Sequence, residues 1–209
     1  MINKKLRDII ICMIVMSRDN EMNKPHMLPL KRYVDSLRDL HPKSYIPYFD
    51  PNDAGINAKI LFLLEKPGRM TDPSNGGSGF ISLDNNDDTA RATKKFISDA
   101  EIDRNEIIMW NTIPSWNGTR KITKSERDES GKLLKQLLII LKDVSVIILV
   151  GKVAQKVIKT VDLSNYHIIF SPHPSPINRA SRRSEWERIP QIWSEAKRVL
   201  KRKKSVTVA

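Results

Sequence analysis

Two side chains of the kind that move protons or oppose developing charge sit in short, stiff loops far apart in the chain. Glu65 lies in Glu65-Lys66-Pro67-Gly68, and His173 lies in Ser171-Pro172-His173-Pro174-Ser175-Pro176. Each loop follows an apolar, strand-like run, residues 59–64 in the first case and 166–170 in the second. A carboxylate and an imidazole are thus both delivered at the carboxyl ends of strands, the edge of an open parallel α/β sheet where sites form.

The frame around these loops is that of one α/β domain. The chain has 209 residues, enough for a substantial single core, and two domains would strain that length. The expected organisation is an N-terminal helical segment over 1–46, an α/β core with a basic C-terminal helix over 47–204, and a tail over 205–209. Lys and Arg number 36 against 24 Asp and Glu, a formal charge of +12. That charge makes nucleic acid the first partner to consider, the plainer reading being a basic surface with no dedicated ligand. One cysteine, Cys12, excludes an internal disulfide and any all-cysteine zinc or iron–sulfur cage, and it fits a reducing cytoplasm. The apolar run 9–16, preceded by Lys4, Lys5 and Arg7, is too short to span a bilayer and reads as a buried first helix rather than a targeting signal. No membrane association, metal, cofactor or obligate protein partner is expected, and a monomer is.

Strand and helix patterns alternate along the chain, predicting parallel strands joined by helices. Helices are expected over 28–40, from Asp87 and Asp88 to Ala100, over 125–141, from Gly151 to Thr160, and over 184–204. Strands are expected over 59–64, 106–111, 144–150 and 166–170. The polar, glycine-rich stretch 74–79 reads as a flexible loop able to form one wall of a pocket.

Several segments between Pro47 and Leu200 together resemble the uracil-DNA glycosylase superfamily. Leu64-Glu65-Lys66-Pro67-Gly68 is similar to its first motif, in particular the Gly-Glu-Ala-Pro-Gly form of its iron–sulfur branch. His173-Pro174-Ser175-Pro176-Ile177 is similar to the second motif of the uracil-removing branch. Gly79-Phe80-Ile81-Ser82 resembles the segment with the base-stacking phenylalanine, Trp110-Asn111-Thr112 the strand end with the base-reading asparagine, and residues 146–154 the glycine-bearing strand-to-helix junction. The resemblance implies a three-layer α/β/α sandwich with a central, mainly parallel four-stranded sheet. It also implies a monofunctional DNA glycosylase that flips a base out of the duplex, cleaves its N-glycosidic bond and leaves an abasic site.

By that resemblance Glu65 stabilises the sugar cation and orients water, while His173 donates a hydrogen bond to the leaving base. Phe80 supplies a stacking face and Asn111 reads a pyrimidine edge, with Lys66 and Gly68 beside the base. Ser175 and Asn178 belong to the DNA-binding loop, Ile177 wedges into the gap in the duplex, and Arg179, Arg182 and Arg183 meet phosphates. Each has a plainer reading. Glu65 can be a surface carboxylate paired with Lys66, His173 a turn residue between prolines, Phe80 a packing residue, Asn111 a strand-end cap, and the arginines a solvated helix start.

Departures from the pattern matter as much. Where the uracil-removing branch has an aspartate and a tyrosine that excludes thymine, this chain has Lys66 and Gly68. The glutamate guarding the same side in the iron–sulfur branch is replaced by Thr71. An open pyrimidine C5 side is expected, which suits a hydroxymethylated or glucosylated cytosine of phage DNA and a role in antiviral defence. Residues 84–87 could supply hydrogen-bonding groups to such a substituent, and Lys66 a positive charge for its poorer leaving group. Uracil repair, a DNA-binding module without hydrolysis and a hydrolase of free nucleosides stand as alternatives.

Overall fold

Runs such as Ile60–Leu64 and Val146–Val150 contain no polar residue, as strands covered on both faces require. The computed structural model describes Arg18 and residues 20–207, with side chains through Lys203. The helix expected over 9–16 lies outside the described residues, as do Val208 and Ala209 of the expected tail.

In chain order the elements are α1 (Leu28–Leu40), β1 (Tyr48–Phe49), β2 (Ile60–Leu64), β3 (Phe80–Ile81), α2 (Asp88–Asp99), β4 (Ile107–Asn111) and α3 (Lys124–Ile140). They continue with β5 (Val146–Val150), α4 (Gly151–Gln155), β6 (His167–Ser171), α5 (Pro176–Ser181), α6 (Arg183–Glu187) and α7 (Ile189–Thr207). Strands β4, β2, β5 and β6 form, in that order, a fully parallel sheet. The chain places β4 on one side of β2 and β5 on the other, so the carboxyl end of β2 sits where the strand order reverses.

Alternation along the strands separates two helical layers. Leu63 pairs with Trp110, and the Trp110 ring stacks on Phe49 at 3.9 Å and meets Tyr33 of α1 at 6.2 Å. Tyr33 in turn donates to the Leu133 carbonyl of α3 at 3.0 Å. Phe62, one residue back and therefore on the other face, meets Trp193 of α7 edge-on at 4.9 Å, and Trp193 also meets Phe96 of α2. The three-layer α/β/α sandwich with a four-stranded parallel sheet is the observed architecture.

Three local differences from the sequence reading have simple causes. A small parallel pair, β1 with β3, is too short to leave a periodic signal. The helix expected over 184–204 breaks before Pro190, whose ring would crowd the carbonyl of Trp186 and whose place in the first turn of α7 needs no N–H. α7 then continues to Thr207, into the segment expected to be a frayed tail. Among the described residues, no helix is long and apolar enough to cross a membrane.

Candidate active site

The carboxyl ends of all four long strands open into one cavity of about 1100 Å³. Glu65 follows β2, and the β2–β4 ladder continues past the strands to hold it. The Thr112 amide and hydroxyl both donate to the Leu64 carbonyl, at 2.7 and 2.8 Å, and the Ile113 amide donates to the Glu65 carbonyl at 2.9 Å. The half-buried Glu65 side chain lines the cavity, and its carboxylate has no hydrogen-bond or ion-pair partner among the described residues.

Asn111 ends β4, opposite Leu64, and is only 6 % exposed. The residue lines the cavity, and its Oδ1 is buried without a partner among the described residues. An acceptor left unpaired in that way costs about 1–3 kcal/mol, which a ligand donor would offset.

His173 is reached two residues beyond β6, and its loop is anchored from several sides. Ser171 Oγ accepts from Trp193 Nε1 at 2.8 Å and donates to the Pro172 carbonyl at 2.9 Å, while the Ser171 carbonyl accepts from Gln155 Nε2 at 3.0 Å. Asn178 Nδ2 donates to the His173 carbonyl at 2.9 Å, and Ser175 caps α5, whose first residue is Pro176. The ring lines the cavity, and neither ring nitrogen has a partner among the described residues. Burial pushes the imidazole down to about 4, the Arg120 guanidinium adds to that shift, and Asp87 opposes it. His173 is therefore neutral at physiological pH and can donate a single N–H to a ligand without charge.

Lys66 lines the cavity, but its ammonium group is engaged elsewhere. Its side chain is 3 % exposed, and its Nζ donates to Asn117 Oδ1 at 2.9 Å, the Lys121 carbonyl at 3.1 Å and Glu126 Oε1 at 2.7 Å. Those bonds occupy all three ammonium donors. The other Glu126 oxygen closes the capping box of α3 by accepting from the Thr123 amide at 2.7 Å. Lys66 thus ties the Glu65 loop to the start of α3 and to the 117–121 loop, and has no donor left for a base. Arg120 lines the cavity as Lys66 does, and it has no hydrogen-bond partner among the described residues.

Phe80 also departs from its expected place. Its ring is buried against Tyr48 at 6.4 Å and beneath the Arg18 guanidinium at 5.7 Å, and its neighbours Ile81 and Ser82 line the cavity instead. Pairing of β3 with β1 sets this register. Nor does the 74–79 stretch form a wall. It folds into a turn in which the Gly77 amide bonds to the Asp72 carbonyl at 2.9 Å, and a Cβ on Gly77 would lie 2.5 Å from the Met70 carbonyl oxygen. Gly68, Met70 and Thr71 line the cavity at this side, where a Cβ on Gly68 would meet nothing within 4 Å. Thr71 Oγ1 is turned to the Gly68 carbonyl at 2.7 Å.

Of the DNA-binding residues expected from sequence, Ser175, Ile177, Asn178 and Arg182 line the cavity. Ile177 is 71 % exposed at the start of α5. Arg179 lies over the Trp186 ring at 5.2 Å, and Arg183 pairs with Glu187 at 2.8 Å. Asp87 caps α2 through the Ala90 amide at 2.9 Å and lines the cavity as well. Sequence reasoning missed Ile81, Trp116, Arg120 and Gln155. The one signal that points to Arg120 and Trp116 is their place in the connector directly after the strand end that carries Asn111.

The model of the uracil DNA glycosylase superfamily matches residues 51–197. The chain belongs to this superfamily. The matched region begins just before β2 and ends within α7, so it holds every strand of the long sheet and both glycosylase-like motifs. No curated protein matches the sequence.

Proposed function

We propose that this protein is a DNA N-glycosylase acting on a flipped, non-canonical pyrimidine. The observation that carries the reading is the convergence of Glu65, Asn111 and His173 on one cavity from the ends of β2, β4 and β6, each with polar atoms unpaired among the described residues. The +12 charge supports a polyanionic substrate over a free nucleoside.

In the reaction the bond between the sugar C1′ and the base N1 breaks, and the electron pair leaves with the base. Glu65, as a carboxylate, opposes the positive charge growing on the sugar and orients the water whose oxygen attacks C1′. The proton lost by that water ends on the base or in solvent, leaving an abasic sugar. His173 donates a hydrogen bond to the base oxygen on which negative charge grows, and Arg120 adds a positive field on the same side. Asn111 Oδ1 accepts from an N–H of the base edge. With Lys66 fully engaged, Schiff-base chemistry has no free amine in this loop, in keeping with a monofunctional enzyme.

The favoured target is a cytosine with a bulky C5 substituent, hydroxymethylated or glucosylated, in phage DNA, and the favoured role is antiviral defence. Support comes from the size of the cavity, from the open space beside Gly68 and from Thr71, which replaces a larger acidic side chain of the iron–sulfur branch. Mass spectrometry of bases released from matched duplexes carrying uracil, 5-hydroxymethylcytosine or its glucosylated form tests this. Release of the modified cytosines is expected. Release of uracil alone would make the protein a repair enzyme, and tight binding with no release from any duplex would make it a recognition module.

A further inference from the structure

Asn85 lies in the turn between β3 and α2, 8 % exposed, on the wall of the same cavity. Its Nδ2 donates to the Phe80 carbonyl at 3.0 Å, which fixes the amide in one orientation. Its main-chain carbonyl accepts from the Asp87 amide at 2.9 Å, so the turn itself is satisfied. Its Oδ1 is buried and has no partner among the described residues. Four buried side-chain atoms are unpaired among the described residues, and two of them, Asn85 Oδ1 and Asn111 Oδ1, belong to residues lining this one cavity. Buried amide oxygens are ordinarily paired, so two orphans on residues that line one cavity point to donors on its ligand.

Donor counting then separates the possible bases. Uracil joined to sugar through N1 has one N–H, at N3. Cytosine has two, on its exocyclic amine, and a hydroxymethyl group at C5 adds an O–H to either base. Filling both acceptors takes a base with more than the single donor of uracil. We infer that Asn85 is a specificity-determining residue whose Oδ1 accepts a hydrogen bond from a donor on the C4–C5 edge of the flipped base. The inference rests on the glycosylase reading and adds to it the residue that rejects uracil. A site built around a buried acceptor discriminates against a ligand lacking the donor because the acceptor stays unpaired.

The test is single-turnover base release by wild type and Asn85→Ala from four duplexes carrying uracil, 5-hydroxymethyluracil, cytosine or 5-hydroxymethylcytosine. Release by the variant is expected to fall about tenfold or more for 5-hydroxymethylcytosine, which carries both candidate donors, and to stay unchanged for uracil. The arm that falls identifies the donor: cytosine for the amine, 5-hydroxymethyluracil for the hydroxyl. Because Asn85 also holds the Phe80 carbonyl, the substrate is altered as well. Replacing hydroxymethyl by methoxymethyl, or the cytosine amine by its dimethyl form, removes the donor with the protein intact and should reproduce the loss in wild type but not in the variant. An equal loss on all four duplexes, no loss on any, or release of uracil alone by wild type overturns the inference while leaving a glycosylase. If wild type releases no base, the glycosylase reading fails, and gel-shift affinities for the same duplexes decide about Asn85: a preference for extra donors that vanishes in Asn85→Ala sustains it, and equal affinities end it.

Discussion

Gly151 lies directly beneath His173: a Cβ on Gly151 would stand 3.3 Å from the His173 Cβ and 3.4 Å from its Cδ2. The glycine has φ +84°, in the left-handed region, where side chains are strained. The junction between β5 and α4 is therefore bare for two reasons, and one of them is to let the imidazole settle against the sheet edge. Gly151→Ala should lose about 1–2 kcal/mol of stability from backbone strain. It should also lower base release by more than its stability explains, because the added methyl displaces His173. Thermal melts alongside single-turnover rates check this, and a variant with reduced stability and unchanged rate would contradict it.

Lys66 holds the 117–121 loop, and with it Arg120. In Lys66→Met the partly buried Glu126 carboxylate loses its ammonium partner but keeps its bonds from Thr123 and Asn117, and a destabilisation of about 1–3 kcal/mol is expected. Borohydride reduction of wild type during turnover should trap no protein–DNA adduct. A trapped adduct mapped to Lys66 would overturn the tether role.

His173 held down to about 4 is neutral across the physiological range, so its hydrogen-bonding form does not change between about pH 5.5 and 8. Base release should not rise as the pH is lowered through that window. A tenfold gain per pH unit toward acid would mean that the imidazolium is the working form. Arg120→Ala should move the His173 midpoint upward, since the guanidinium contributes to the shift, and should slow release. Proton NMR of the imidazole reads the first effect and single-turnover kinetics the second.

Much of this site was legible in the sequence, for definable reasons. The four long strands announced themselves as unbroken apolar runs, and chemistry at their ends followed from where those runs stop, as at Asn111 and at Ser171 before His173. The tether made by Lys66 was not legible because sequence gives the neighbour in the chain and not Asn117, Lys121 and Glu126, which meet it only once α3 is packed. The inward placement of Phe80 was not legible because a two-residue strand flips its partners to opposite faces with a one-residue change of register, and no periodicity reveals which face is inward. Asn85 was legible only as part of a turn-forming acidic and amide cluster. Its orphan acceptor depends on which atom the Phe80 carbonyl captures.

Away from the cavity mouth, Arg104 bonds Asp50, Asp53 and Asp84 at 2.8, 2.9 and 2.8 Å, and both Asp50 and Asp53 are buried. Burial, with Asp50 adding and Arg104 opposing, pushes the Asp53 carboxyl up to about 8. Unfolded aspartate titrates near about 3.9, so between about pH 4 and 8 the folded protein holds the extra proton. This group's contribution to stability is therefore present at acid pH and is lost as the pH rises toward 8. Asp53→Asn should flatten that decline, and Arg104→Met should destabilise the protein by leaving the buried Asp50 carboxylate with Arg18, at 4.0 Å, as its remaining cation. Denaturant unfolding at pH 5 and 8 measures both, and parallel decline in wild type and Asp53→Asn would contradict the assignment.

The most direct test of the central claim compares wild type with Glu65→Gln on a duplex carrying 5-hydroxymethylcytosine, measuring base release and DNA affinity on the same preparations. The substitution keeps the shape of the side chain and removes the charge that opposes the sugar cation. Loss of release with affinity retained is the expected result. Release at the wild-type rate by Glu65→Gln would contradict the role of Glu65 and, with it, the mechanism.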